Sequence, residues 1–201
     1  MARSLDPQKR EDLMRVALGL FVKQGIQTTS TASISQAAGM ATGTLFLYFP
    51  TKQDLIHALI MDIGKRQSEA VQGLLHPEYS ARETFLAIWE GSIGWFLEHP
   101  EAYRYFRQVR ESALVAETVV RESDEKYLSY FHEGLRKARA EGLFDAIPLE
   151  MVGAFLYQDM AAVLELVAAV PGPAVRTEYL KLGFEIFWRG VAGEDPETRK
   201  S

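Results

Sequence analysis

Residues 38–52 read AGMATGTLFLYFPTK, and the fold of the whole chain turns on how that stretch is understood. Two glycines, three threonines, three aromatics and a terminal lysine share its fifteen positions. The run Leu45-Phe46-Leu47-Tyr48-Phe49 follows a turn centred on Gly39. Apolarity alone leaves three readings: a buried strand, a core helix, or a short helix presenting one face to something large. The flanking residues favour the helix. Thr31 is suited to cap a short helix from about Ala32 to Ala38, which Gly39 ends. A second runs from about Ala41 to Tyr48, and Pro50 stops it. Thr51 then caps a longer helix that starts near Lys52.

A helix, a tight turn and a second short helix make a helix-turn-helix, here about residues 32–49. Ile34 and Ala37 or Ala38 face inward, the alanines small enough for the helices to touch, and Met40 plugs the space after the turn. Leu45 and Phe49, four residues apart, form the buried edge of the second helix. Thr42, Gly43, Thr44, Leu47 and Tyr48 are left facing outward, while Phe46 either packs inward or lines a backbone contact. On shape alone, the alternative is an internal helix pair of an all-helical enzyme or scaffold.

Working outward, almost everything reads as helix. Pro7 opens the first, which runs to about Gln24 with Leu13, Val16, Ala17, Leu20 and Phe21 as its apolar stripe, and Gly25 caps it. Later helices are expected at 52–74, 80–97, 100–112, 114–141, 149–169 and 173–190, with breaks at His76-Pro77, His99-Pro100, Gly142 with Pro148, and Pro171-Gly172-Pro173. The chain is therefore expected to be all-α: a small head with the helix-turn-helix over 1–65, a larger helical bundle over 66–192, and a frayed tail over 193–201.

Composition removes several functions from consideration. The 201 residues contain no cysteine, which excludes disulfides, thiolate metal sites and thiol nucleophiles. His57, His76, His99 and His132 form no ligand set, so no metal is expected. Without a phosphate loop, nucleophile elbow or paired-carboxylate signature, neither an enzyme nor a cofactor is expected. The start lacks a signal peptide, and no uninterrupted apolar run approaches the roughly 18–20 residues that span a bilayer. A cytoplasmic protein without a membrane partner is the expectation. The net charge of −5 is uneven: residues 1–52 carry an excess of three positive charges and the remainder is acidic.

The body carries large aromatics at helical spacing. Core packing is their usual role, yet the same residues build pockets for flat apolar ligands. Trp89, Tyr157, Phe85, Phe155 and Tyr127 are the candidates for an effector, and a cationic one gains from aromatic faces. Asp159 either pairs with such a cation or is a solvated or interface residue. FLYQDMAAVLELVAAV and TEYLKLGFEIFWRG are apolar around more of their circumference than outer helices of a monomer need.

ALGLFVKQGIQTTSTASISQAAGMATGTLFLYFPTKQDLIHALI resembles the DNA-binding domain of the TetR family of bacterial transcriptional regulators, from about residue 10 to 60. IWEGSIGWFLEHP and EYLKLGFEIFWRG resemble that family's multidrug-sensing branch. The resemblance implies that Thr31 caps the second helix and meets a phosphate. Thr42, Gly43, Thr44 and Leu47 would lie against base edges or the sugar-phosphate wall, and Tyr48 and Lys52 would grip phosphates. A basic arm carrying Arg3 would also reach DNA. The last two helices would form a four-helix homodimer interface, matching a palindromic double-stranded operator. The implied function is a ligand-responsive repressor released by a small apolar or aromatic effector, neutral or cationic. The alternative is a helical small-molecule-binding or scaffold protein that does not bind DNA. The recognition helix lacks Arg, Lys, Asn and Gln, so readout is expected to use thymine methyls, hydroxyls, close backbone approach and DNA shape.

Overall fold

Pro7 and Gly25 bracket the first helix, α1 (Pro7–Gln24), for reasons of backbone geometry. Asp6 caps it by accepting from the Gln8 amide, and Gly25 leaves it at φ 91°. This computed structural model describes residues 5–111, 117–145, 147–170 and 172–192. Arg3, Pro171, the tail over 193–201 and the expected helix start at 114 lie outside the described residues. Among the described residues there are ten α-helices and no strand, as an all-α chain requires.

The chain divides into two compact units. The first comprises residues 1–66 and 99–127, the second 67–98 and 128–201. In the first, α2 (Thr31–Ala37) and α3 (Thr42–Tyr48) follow α1, and α4 (Lys52–Gln72) contributes its residues up to Arg66. Thr51 and Asp54 cap α4 reciprocally: the Thr51 amide donates to the carboxylate at 2.8 Å, and the Asp54 amide donates to Thr51 Oγ1 at 3.1 Å. Leu13, Ala17, Phe21, Ile34, Leu45, Leu55 and Ile60 make the core.

The sequence expectation stopped the head at residue 65, but α6 (Pro100–Glu111) and α7 (Glu117–Tyr127) belong to this unit as well. The reason is non-local. Tyr105 of α6 is fully buried, its ring 5.9 Å from that of Phe21, and its hydroxyl donates to the Ile56 carbonyl at 3.0 Å. Gly64 lets α7 approach α4; a Cβ there would lie 2.6 Å from Ser123 Oγ and 3.1 Å from the Tyr127 ring.

The second unit is built around α5 (Ala81–Glu98), packed by α8 (Ser129–Ala140), α9 (Leu149–Ala169) and α10 (Pro173–Ala192). Phe85, Trp89, Phe184 and Phe187 are its largest fully buried side chains, and Trp89 Nε1 donates to the Leu180 carbonyl at 3.0 Å. Gly183 is where α10 crosses α9 and α5, since a Cβ there would collide with Val163 and with the Trp89 ring. Gln67 donates to Ser92 Oγ at 2.8 Å and accepts from the Tyr130 hydroxyl at 3.1 Å, which satisfies this buried polar chain.

One expected helix needs correction. The single helix expected over 114–141 is broken at Leu128 (φ −101°, ψ 26°), separating α7 from α8. No glycine or proline marks the break; the Leu128 carbonyl instead accepts from both Phe131 and His132 as α8 begins. By length and composition α9 is also apolar enough to cross a membrane, although Glu150, Asp159 and Glu165 interrupt it. Only 28% of its most apolar window is buried.

Candidate nucleic-acid interface

The helix-turn-helix is assembled from local hydrogen bonds. Ser30, not Thr31, caps α2: its backbone is extended and its hydroxyl accepts from the Ser33 amide at 3.0 Å. Thr31 is the first helical residue, half-exposed, and its carbonyl accepts from Ser35 Oγ at 2.9 Å. Gly39 turns the chain at φ 66°, a left-handed conformation that side chains resist, and the Met40 amide closes the turn onto the Ser35 carbonyl at 2.9 Å. Of the expected inward contacts, Ile34 is buried and Ala38 half-buried, whereas Ala37 is exposed.

The helical period then sorts α3 into faces. Leu45 and Phe49 are buried, Thr44 and Tyr48 half-buried, and Thr42, Gly43, Phe46 and Leu47 exposed. Each set is an i, i+4 pairing along the helix. Phe46 therefore joins the outer face, with 43% of its surface exposed, beside Leu47 with 65%.

Around α3 the polar groups are partly engaged. The Tyr48 hydroxyl accepts from the Asp6 amide at 3.0 Å, tying the recognition helix to the start of α1. Lys52 Nζ donates to the Gln27 carbonyl at 3.3 Å and lies 5.9 Å from the Phe21 ring centroid. Partial burial lowers the Lys52 pKa below its ordinary value. A shallow cavity of about 280 Å³ beside it is lined by Ile26, Gln27, Gln53 and Ile56. Arg10, absent from the sequence-based selection, places its guanidinium 5.3 Å from the Phe49 ring centroid. Ser30, Asp6 and Arg10 were the residues that sequence reasoning passed over. Asp-Pro at the start of α1 was a readable cap signal; the Arg10 contact with Phe49 was not.

The effector candidates differ in burial. Phe85 and Trp89 are sealed within rings: Phe85 meets Phe144 at 5.5 Å and Phe131 at 5.8 Å, and Trp89 meets Phe184 at 6.0 Å. Tyr157 is half-buried on α9, whereas Phe155 exposes 47% of its surface. Tyr127 belongs to the first unit, against Gly64. Within the second unit, helical phase turns Phe155 outward while Phe85 and Trp89 are buried. Asp159 is half-buried on α9, and desolvation raises its pKa.

Comparison with known proteins joins this geometry to a family. Residues 13–59 match the family described as bacterial regulatory proteins, tetR family. The HTH-type transcriptional regulator LuxR of Vibrio harveyi is 31% identical over 90 residues, 44% of each chain. The HTH-type transcriptional regulator SrpR of Pseudomonas putida is 26% identical over 153 residues, covering 71% of this chain and 68% of that one. A crystal structure described as a putative tetR family transcription regulator from Shewanella sp. PV-4 superposes with TM-score 0.85 and 26% identity, covering 92% of this chain and 98% of that one. The chain spans less than half the length of several curated relatives it matches.

Proposed function

We propose that this chain, which belongs to the tetR family of bacterial regulatory proteins, is a cytoplasmic, dimeric, DNA-binding transcriptional repressor that a small effector releases from its operator. The observation that carries the reading is the helix-turn-helix itself. α3 is pinned by Leu45 and Phe49, and it turns Thr42, Gly43, Phe46 and Leu47 to solvent. That is the geometry of a helix inserted in a major groove. Thr42, Gly43, Thr44 and Leu47 then face base edges. Thr31, Tyr48 and Lys52 face phosphates, as does Arg10.

Dimerisation through α9 and α10 is supported by their surface. Met151, Phe155, Leu166, Val175, Leu182 and Ile186 are large, apolar and exposed there. A second copy covering this face gives a two-fold molecule and hence a palindromic operator, with half-sites about 34–36 Å apart or a multiple of it. The effector site is assigned to the aromatic-rich second unit, with an apolar or aromatic molecule, neutral or cationic, as the ligand class. Release is a population shift, driven only by the effector's preference for the DNA-incompetent state.

Selection of bound DNA from a random pool, followed by gel shifts over a salt series, tests this. A palindromic consensus with affinity falling steeply as salt rises is the expected result. Absence of binding at low salt overturns the reading in favour of a helical small-molecule-binding protein.

A further inference from the structure

We infer that the outer face of α3 reads the C5-methyl groups of pyrimidines, so that operator affinity follows the methylation state of the bases as well as their identity. This rests on the DNA-binding reading above. The four exposed positions of α3 are Thr42, Gly43, Phe46 and Leu47. Thr42 and Phe46 stack along one row of the helix, Gly43 and Leu47 along the next. Between them they offer a single hydroxyl and two large apolar side chains, with no charged or amide group anywhere on α3.

A major-groove edge presents acceptors, amino donors and, on one base only, a methyl. Leu47 and Phe46 complement the methyl and nothing else there. Set against the amino group of cytosine or the oxygen of guanine, they strip water from a polar atom and return no hydrogen bond. Discrimination is therefore attractive at a methylated pyrimidine and repulsive elsewhere.

Gly43 adds to this. A Cβ at Gly43 would meet nothing in the chain within 4 Å, and its φ is not in the left-handed region. No internal contact demands glycine there, although glycine weakens a helix. What it does leave is a recess beside Phe46 and Leu47. The charges of the same unit suit a nucleic acid as occupant: Arg10 lies over the ring of Phe49, the residue that ends α3, Lys52 follows four residues after α3, and residues 1–52 carry three more positive than negative charges.

Thymine and 5-methylcytosine present the same methyl, and the test separates them. The selected operator is resynthesised with uracil in place of each thymine in turn, and separately with cytosine or 5-methylcytosine at the responsive positions. Removal of the methyl is expected to weaken binding roughly three- to fourfold per contacted base, the equivalent of one buried methyl group. Adding the methyl to cytosine is expected to strengthen binding by a similar factor. Leu47→Ala and Phe46→Ala should bind thymine and uracil operators alike while melting at the wild-type temperature, since both side chains are exposed. An operator that binds equally with uracil at every position overturns the inference and leaves DNA binding intact. A pool that yields no bound sequence overturns both.

Discussion

Apart from the single side chains Leu5 and Leu74, the large apolar side chains that stand in water among the described residues gather in two places, which differ in extent and in surrounding charge. On α3 the patch is two residues, Phe46 and Leu47, on a helix of seven, in a unit whose first 52 residues are net basic. On α9 and α10 it is six residues spread along helices of 21 and 20. A short apolar edge in a basic setting fits methyl groups between phosphates. A long apolar face on two adjacent helices supports the proposed pairing with a second copy, since burying apolar area works against the entropy of association. Exposure alone does not identify a partner; extent and surrounding charge do.

The strongest way to break this comparison is to charge the larger face. Ile186 is 70% exposed, so Ile186→Glu should leave the folded chain intact. A carboxylate stranded in the interface should weaken self-association by at least roughly a hundredfold. Sedimentation velocity would reveal monomers; an unchanged dimer would remove α10 from the interface.

Within α3 the two faces are separable by neighbouring leucines. Leu45→Ala opens a cavity in the head core and should cost about 2–5 kcal/mol in denaturant unfolding. Leu47→Ala should stay within about 0.5 kcal/mol of wild type. Equal losses would mean that Leu47 is packed rather than presented.

The cap correction gives a smaller contrast. Ser30→Ala should lower stability by about 1 kcal/mol and Thr31→Ala by much less. The reverse order would restore Thr31 as the cap. Gly43→Ala should raise the melting stability by about 0.5–1 kcal/mol while lowering operator affinity, a split that a purely structural glycine would not give.

The smallest effect concerns Asp159. Burial raises its pKa in the folded chain above its unfolded value, so the folded state holds the proton more tightly. Its ionisation therefore erodes stability as pH rises from the unfolded pKa through the folded one. Asp159→Asn should equal wild type at low pH and slightly exceed it at neutral pH. A lower neutral stability would instead assign Asp159 a cationic partner.

Legibility in the sequence followed the punctuation. α1 and α9 fall at the expected bounds because Pro7 with Gly25, and Pro148 before Leu149, restrict the backbone locally. The buried edge of α3 is equally readable, since Leu45 and Phe49 sit four apart, whereas Thr44 and Tyr48, expected outward, are half-buried. Ser30 and Thr31 both carry hydroxyls, and only the extended backbone at Ser30 makes it the cap. The Leu128 break has no sequence mark at all.

What the sequence determined by itself is the helical class and the helix-turn-helix with its buried edge, because periodicity, caps and a left-handed glycine are local in the chain. Tertiary structure alone decided that α6 and α7 join the head, that Phe46 faces out, and that Phe85 and Trp89 are sealed among rings while Phe155 is not. Those outcomes depend on contacts such as Phe21 with Tyr105, between residues distant in the chain, and no local pattern encodes which distant ring will arrive.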